Sequence, residues 1–232
     1  MALILENKPI ASNVFQMRVA ANQQVKAGQF YMLRAWENIP TFSRPISICD
    51  QNGEELTFVY EVKGKGTEIF STLQAGDEIE LMGPRGNGFV LKGQKCVLVG
   101  GGVGIAPLLL LAKGLREQGA QITAYLGFRS EEYLKEDFAR YCHRIITDVG
   151  GKITDVIETE SFDCAYICGP EVMMQAAWDK LKHSAEQVVV SVERRMACGV
   201  GVCLGCNIKT RQGNKKVCSD GPIFAAEDVF YE

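Results

Sequence analysis

Over the first 92 residues, short apolar stretches alternate with polar ones and are cut by Gly, Pro, Asn and Asp. Residues 14–19, 29–33, 44–49, 56–62 and 78–82 read as strands, with alternating or β-branched character and turn residues between them. One helical turn fits 67–73. Short strands at even spacing without long helices between them predict a small antiparallel β-barrel over residues 1–92.

From Lys95 the period changes. An apolar strand at 96–99 runs through a glycine-rich turn into an apolar helix that starts at Ala106 and ends near Gly119. Strands at 121–126, 144–147, 164–168 and 187–192 alternate with helices at 131–141 and 171–181, the last with Met174, Ala177, Trp178 and Leu181 on one face. This alternation predicts a doubly wound parallel α/β sheet over 93–192. Residues 193–232 are loop-rich and cysteine-rich and read as a small third unit. The expected fold class is thus α/β plus β, with no 20-to-50-residue repeat and no low-complexity run.

The composition suits a folded chain: 47% of the 232 residues are apolar and 23% charged. A net charge of -3 and a pI near 5.6 argue against nucleic acid as a partner, because that role asks for a basic surface. The longest apolar stretch, 96–112, holds four glycines and Pro107 and falls short of the roughly 20 residues that cross a bilayer. The first nine residues lack the basic and apolar regions of a signal peptide, so a cytoplasmic protein with no membrane association is expected.

Nine cysteines are many for a compartment that keeps thiols reduced. Five are scattered, whereas Cys198, Cys203, Cys206 and Cys218 crowd into 21 positions. Their spacing, C-x4-C-x2-C followed after eleven residues by a fourth cysteine, fits the plant-type 2Fe-2S ferredoxin pattern. Glycines at 199, 201 and 205 let backbone N–H groups approach the sulfurs. The alternative is a structural zinc ribbon, which prefers two C-x2-4-C knuckles; here the second half offers Cys218 alone.

Gly100, Gly101, Gly102, Val103 and Gly104 follow a buried strand and open a helix with Pro107 in its first turn, which is the setting for a dinucleotide pyrophosphate. A tight, ligand-free connection is the competing reading. Cys168, Gly169 and Pro170 end another strand of the same sheet and are expected to face the same crevice, with Cys168 either a cofactor contact or an inert buried thiol. Arg129 and Ser130 favour a 2′-phosphate and Glu131 opposes one, which leaves NAD against NADP open. In the barrel, Arg44-Pro45-Ile46-Ser47 sets a cation and a hydroxyl on one strand, and Gly66 and Thr67 open a helical turn. Together they suit the diphosphate of a flavin. His143 and His183 sit in settings where solvated roles prevail, and no acid–base pair, hence no catalytic residue, stands out.

In that order along the chain, Arg44-Pro45-Ile46-Ser47, Gly66-Thr67, the glycine turn to Pro107 and Cys168-Gly169-Pro170 resemble the ferredoxin-NADP reductase superfamily. The run from Glu193 to Cys206, then Cys218 to Phe224, is more specifically similar to the electron-transfer subunits of type B dihydroorotate dehydrogenase. The resemblance implies FAD held by Arg44 to Ser47, by Val59, Tyr60 and Glu61, and by Gly66 and Thr67. It implies a 2Fe-2S cluster on Cys198, Cys203, Cys206 and Cys218, and NAD as the hydride acceptor. It also implies an FMN-containing dihydroorotate dehydrogenase catalytic subunit as partner, in a heterotetramer of two subunits of each kind, serving pyrimidine synthesis.

Two other readings compete. One is a NAD(P)H-dependent flavin and iron-sulfur reductase subunit of a hydrogenase, transhydrogenase or oxygenase. The other is a cofactor-free, zinc-stabilised redox sensor or adaptor, which the intact Arg44, Thr67 and four clustered cysteines disfavour.

Overall fold

The computed structural model describes residues 1–231. Its first unit is a closed six-stranded barrel built from β1 (Ala2–Ala11), β2 (Val14–Ala20), β3 (Phe30–Arg34), β4 (Arg44–Asn52), β5 (Glu55–Glu61) and β6 (Glu78–Arg85), with α1 (Lys65–Thr72) between the last two. The strand order is β1-β2-β5-β4-β3-β6, antiparallel throughout, and β1 closes the ring by pairing with β6. Inward residues such as Met17, Leu33, Ile48, Phe58 and Ile79 are fully buried, and Phe70 of α1 plugs the same core.

Five of the six strands follow the expected positions; β1 is additional. Its polar run of Glu6, Asn7 and Lys8 masks a strand in which Ile4 alone is fully buried. Pairing on both sides, rather than local pattern, makes it a strand.

The second unit holds β7 (Lys95–Gly101), a 3-10 turn (Gly102–Ile105), α2 (Ala106–Glu117), β8 (Gln121–Phe128), α3 (Lys135–Ala139), β9 (Arg144–Val149), β10 (Phe162–Cys168), α4 (Glu171–Leu181) and β11 (Ala185–Ser191). These strands run parallel in the order β11-β10-β7-β8-β9. Successive side chains of β7 go to opposite faces. Cys96 and Leu98 pack with Leu108, Leu111, Ala112 and Leu115 of α2, while Val97 and Val99 pack with Met174, Ala177 and Leu181 of α4. A sheet covered on both faces explains why its strands are almost continuously apolar.

The helix expected over 131–141 is confined to α3. Tyr133 and Leu134 are drawn into the core, Tyr133 lying edge-on to Phe128 at 5.0 Å, and Leu134 takes φ 60, which a helix does not accommodate. Residues 131–134 are left as a loop on the crevice side.

The cysteine-rich segment carries a hairpin of β12 (Asn207–Thr210) and β13 (Gly213–Lys216), then β14 (Ile223–Ala225) and the short α5 (Ala226–Val229). The three-residue β14 pairs antiparallel with β11, so the C-terminal segment forms the edge of the central sheet.

Candidate functional site

A crevice runs between barrel and sheet. Its first part is lined by Pro45, Ile46 and Ser47 of β4, Val59 to Glu61 of β5, Val103, Ser191 at the end of β11, and Glu193 and Met196 beyond it. It continues past Lys63 along Gly101 to Gly104, Gly169 and Pro170 to Arg129, Ser130 and Glu131. A third part opens over Ser43, Arg44, Arg194 and Arg195. Glu61, Lys63 and Glu193 stand where the first two parts meet. Arg44 to Ser47, Val59 to Glu61, the glycine turn and Gly169-Pro170, far apart in sequence, thus line one continuous cleft at the carboxyl ends of the parallel strands, the usual ligand side of such sheets, whereas Gly66, Thr67 and Cys168 are buried and do not line it.

Arg44 begins β4 beside Leu33 of β3. Its guanidinium carbon lies 5.4 Å from the Trp36 ring centroid, and Nη1 donates to the Phe42 carbonyl at 2.5 Å. Among the described residues no carboxylate forms an ion pair with it. A Cβ on Gly66 would come within 2.6 Å of Arg44 Nε, so only glycine lets the guanidinium lie against the first turn of α1. The N–H groups of that turn have no intrahelical partner, and Gly66 and Thr67 are themselves buried. A cation without a carboxylate partner beside the first turn of a helix is the kind of arrangement that suits a phosphate group.

Two expected contacts take a different form. The Thr67 hydroxyl accepts from the N–H groups of Lys63 and Gly64 at 3.0 and 3.3 Å and donates to Gly64 O at 2.9 Å, so it organises the loop that bears Gly66. Tyr60 turns its ring into the barrel, stacked on Phe15 at 5.8 Å with its hydroxyl donating to Asn7 Oδ1 at 3.0 Å, and burial raises its pKa. It therefore offers the cleft main chain, while Val59 and Glu61 on either side face outward.

The glycine turn meets the loop after β10 backbone to backbone. A Cβ on Gly104 would lie 2.7 Å from Cys168 O, and one on Gly169, at φ +151, would lie 3.0 Å from Gly101 N. Cys168 itself is buried behind this contact, and burial pushes its thiol pKa up. Glu131 Oε2 accepts the Ser12 N–H at 3.0 Å, which ties the loop after β8 to the β1–β2 turn of the barrel.

Glu193, Lys63 and Ser191 are cleft residues that the sequence reading does not single out as ligand contacts. Solvent reaches the Glu193 carboxylate, yet the walls around it displace enough water to raise its pKa; Lys63 opposes this shift and Glu61 adds to it. The available signal was position: Ser191 ends a central strand and Glu193 follows two residues later.

The cysteine loop folds over the barrel. A Cβ on Gly199, at φ +67, would strike Met32 of β3 at 2.8 Å, and Gly201, at φ +78, packs on Ser219. Cys198 Sγ accepts N–H bonds from Val200 (3.5 Å) and Cys203 (3.4 Å), Cys218 Sγ from Gly201 (3.1 Å), and Cys206 Sγ from Cys218 (3.5 Å). The N–H groups of Val200 and Cys203 bring the Cys198 pKa down to about 6, whereas burial pushes Cys218 up to about 11. Among the described residues no group of three potential ligands is arranged around a single ion. Cys198 interacts with Cys203, and Cys218 with both Cys206 and Cys198, so the four thiols neighbour one another. Four clustered cysteines with N–H donors aimed at sulfur fit the donor set of a 2Fe-2S cluster.

Residues 193–230 match the family model of the iron-sulfur cluster binding domain of dihydroorotate dehydrogenase B. The chain is 38% identical to a dihydroorotate dehydrogenase B (NAD(+)) electron transfer subunit of Clostridium acetobutylicum over 97% of its length and 95% of that protein. A homologue of the same description from Caldanaerobacter subterraneus is also 38% identical, over 99% and 98% of the two chains. The chain belongs to the dihydroorotate dehydrogenase B electron transfer subunit family. As in the sequence-based expectation, the shared segment of this family spans barrel, sheet and cysteine loop together.

Among solved structures, that of an NADH-dependent reduced ferredoxin-NADP oxidoreductase studied for flavin-based electron bifurcation superposes with a TM-score of 0.90 at 29% identity, covering 100% of this chain and 90% of the other. A ferredoxin NADP+ reductase from Neisseria gonorrhoeae with bound FAD and NADP shares the fold at a TM-score of 0.65 and 20% identity, over 79% of this chain and 90% of that one. The family's barrel-and-sheet fold is thus that of the ferredoxin-NADP reductases.

Proposed function

We propose that this chain is the electron-transfer subunit that carries electrons from an FMN-containing dihydroorotate dehydrogenase catalytic subunit, through a 2Fe-2S cluster and FAD, to NAD+ in de novo pyrimidine biosynthesis. The observation that carries the reading is the continuity of the cleft: the Arg44 to Ser47 strand and the glycine turn line one space, and the four-cysteine loop rests on β3, the neighbour of β4, through Gly199 and Met32.

When bound, FAD exchanges a hydride on one side and single electrons on the other, and the cluster carries the single electrons. Arg44, with the first-turn N–H groups at Gly66 and Thr67, holds the flavin diphosphate. Pro45, Ile46, Ser47, Val59, Tyr60 and Glu61 line the flavin on β4 and β5. Gly101, Gly102, Val103 and Gly104, with Gly169 and Pro170, hold the NAD pyrophosphate; Cys168 supports that loop from behind. Cys198, Cys203, Cys206 and Cys218 ligate the cluster. The three units are residues 1–92 for FAD, 93–192 for NAD and 193–232 for the cluster.

The proposed assembly is a heterotetramer with two copies of each subunit. Among the described residues no helix is long and apolar enough to cross a membrane, and nine cysteines without a disulfide suit the reducing cytoplasm proposed as its location. Affinity purification of the full chain from its native cells tests the reading. Co-elution of an FMN protein with dihydroorotate-dependent NAD+ reduction is expected; a flavin and iron-sulfur protein that co-elutes instead with a hydrogenase or oxygenase component would overturn it.

A further inference from the structure

Trp36 lies in the loop between β3 and β4 and touches both halves of the phosphate site. Arg44 stacks over its ring at 5.4 Å. On α1, the Phe70 ring centroid lies 5.5 Å from that of Trp36, tilted by 30°. A Cβ on Gly66 would meet not only Arg44 Nε but also Trp36 Cη2, at 2.9 Å. Ring, guanidinium and the first turn of α1 thus meet at Gly66, with the ring also resting on Phe70.

The loop that presents this ring is itself pinned. The indole Nε1 donates to Pro40 O, and Arg34 donates to the carbonyls of Trp36 (2.8 Å), Thr41 (2.9 Å) and Glu37 while lying 5.7 Å from the same ring. Arg44 has no comparable anchor. Its guanidinium donates to Phe42 O, two residues away, and no carboxylate among the described residues fixes it. A long side chain without a partner spends most of its time in rotamers that do not face the ligand, and restricting it beforehand strengthens binding. A tryptophan face is the strongest aromatic partner for a cation and leaves the guanidinium edge free for phosphate oxygens.

We propose that Trp36 is a positioning residue for the diphosphate of the bound flavin: it acts through Arg44, holding the guanidinium against the first turn of α1, and has no part in holding the isoalloxazine ring. The proposal rests on the reading of Arg44 as the diphosphate ligand.

The test is equilibrium binding of FAD, and of riboflavin as a probe without phosphate, to the full-length chain stripped of flavin. Trp36→Leu is expected to weaken FAD about fivefold to twentyfold and to leave riboflavin affinity unchanged, which also reports an intact barrel. Trp36→Phe keeps the contact with Phe70 but offers a weaker face, so it should weaken FAD by roughly twofold to threefold. In an Arg44→Ala background, Trp36→Leu should add less than about twofold, because its effect passes through the missing guanidinium. The proposal is overturned if Trp36→Leu weakens riboflavin as much as FAD, or adds its full factor on top of Arg44→Ala. Should the leucine variant not fold, a phenylalanine variant that binds FAD like wild type overturns it equally. An Arg44→Ala variant that itself binds FAD with unchanged affinity would remove the diphosphate reading beneath it. If Arg44→Ala weakens FAD while both Trp36 variants match wild type, the positioning role alone fails.

Discussion

Lys113 on α2 sets its ammonium 3.2 Å from the Asp50 carboxylate on β4, and the same nitrogen donates to Gln51 O at 2.7 Å and Asn52 Oδ1 at 3.0 Å. With 21% and 17% of the two side chains exposed, the pair is largely shielded from solvent. β4 begins with Arg44 and α2 follows the glycine turn, so the contact joins the element that starts the proposed flavin site to the one that follows the proposed dinucleotide turn. Lys113→Met leaves Asp50 half-buried without its cation and should lower unfolding free energy by about 1–3 kcal/mol. Urea unfolding followed by circular dichroism measures this; an unshifted midpoint would show that the contact adds nothing.

Arg44→Ala removes a charge-assisted phosphate contact and should weaken FAD roughly 10- to 100-fold. Flavin content after gel filtration and FAD titration of the stripped chain measure it, and retention equal to wild type would count against Arg44 as the diphosphate ligand.

Cys203→Ser should lose iron and acid-labile sulfide while its flavin absorbance persists, since a hydroxyl is a poor substitute for a thiolate at iron and Cys203 lies away from the cleft. Iron and sulfide analysis of anaerobically prepared protein decides the matter; full occupancy would take Cys203 out of the ligand set.

Glu131 lines the end of the cleft proposed to take the adenosine ribose of NAD, with its Oε2 accepting the Ser12 N–H. A 2′-phosphate would meet this charge. Glu131→Ala should therefore raise the efficiency with NADPH relative to NADH by roughly tenfold, read as a ratio of kcat/KM values; an unaltered ratio would assign the discrimination to other groups.

Asp163 accepts the backbone N–H groups of Gln94 at 2.6 Å and Lys95 at 3.0 Å, and the Lys95 and Gln94 bonds hold its pKa below the ordinary 3.8. A depressed carboxylate contributes stability that is present above pH 3.8 and lost as pH falls through the lower folded value. Urea midpoints measured from pH 5 downward should fall more steeply for wild type than for Asp163→Asn. Parallel curves would mean that these bonds do not favour the charged form.

Much of the architecture was legible because it depends on local period. Five barrel strands and the parallel strands came from alternating or continuous apolar runs. The cysteine spacing and the glycine turn are local too, since their ligands come from a few neighbouring residues. What escaped was structure made by distant partners. Ala2–Ala11 pairs on both sides despite a polar run, and Ile223–Ala225 is too short to show a period yet completes the sheet edge against β11. The helix expected over 131–141 shrank to Lys135–Ala139 because burial of Tyr133 and Leu134 outweighed helical propensity.

The sequence by itself determined which chemistry the chain carries: four thiols at an iron-sulfur spacing, a backbone turn open to a pyrophosphate, and an arginine on a barrel strand. Only the tertiary structure decided how those groups act together. It gathered Trp36, Arg44 and the first turn of α1 at Gly66, hid the Cys168 sulfur, engaged the Thr67 hydroxyl in its own loop, and brought Ser12 to Glu131 across 119 positions of chain. The reason is physical: turns and ligand spacing follow from covalent geometry between neighbours, whereas the orientation of a side chain in a cleft follows from packing and hydrogen bonds to elements that only folding brings near.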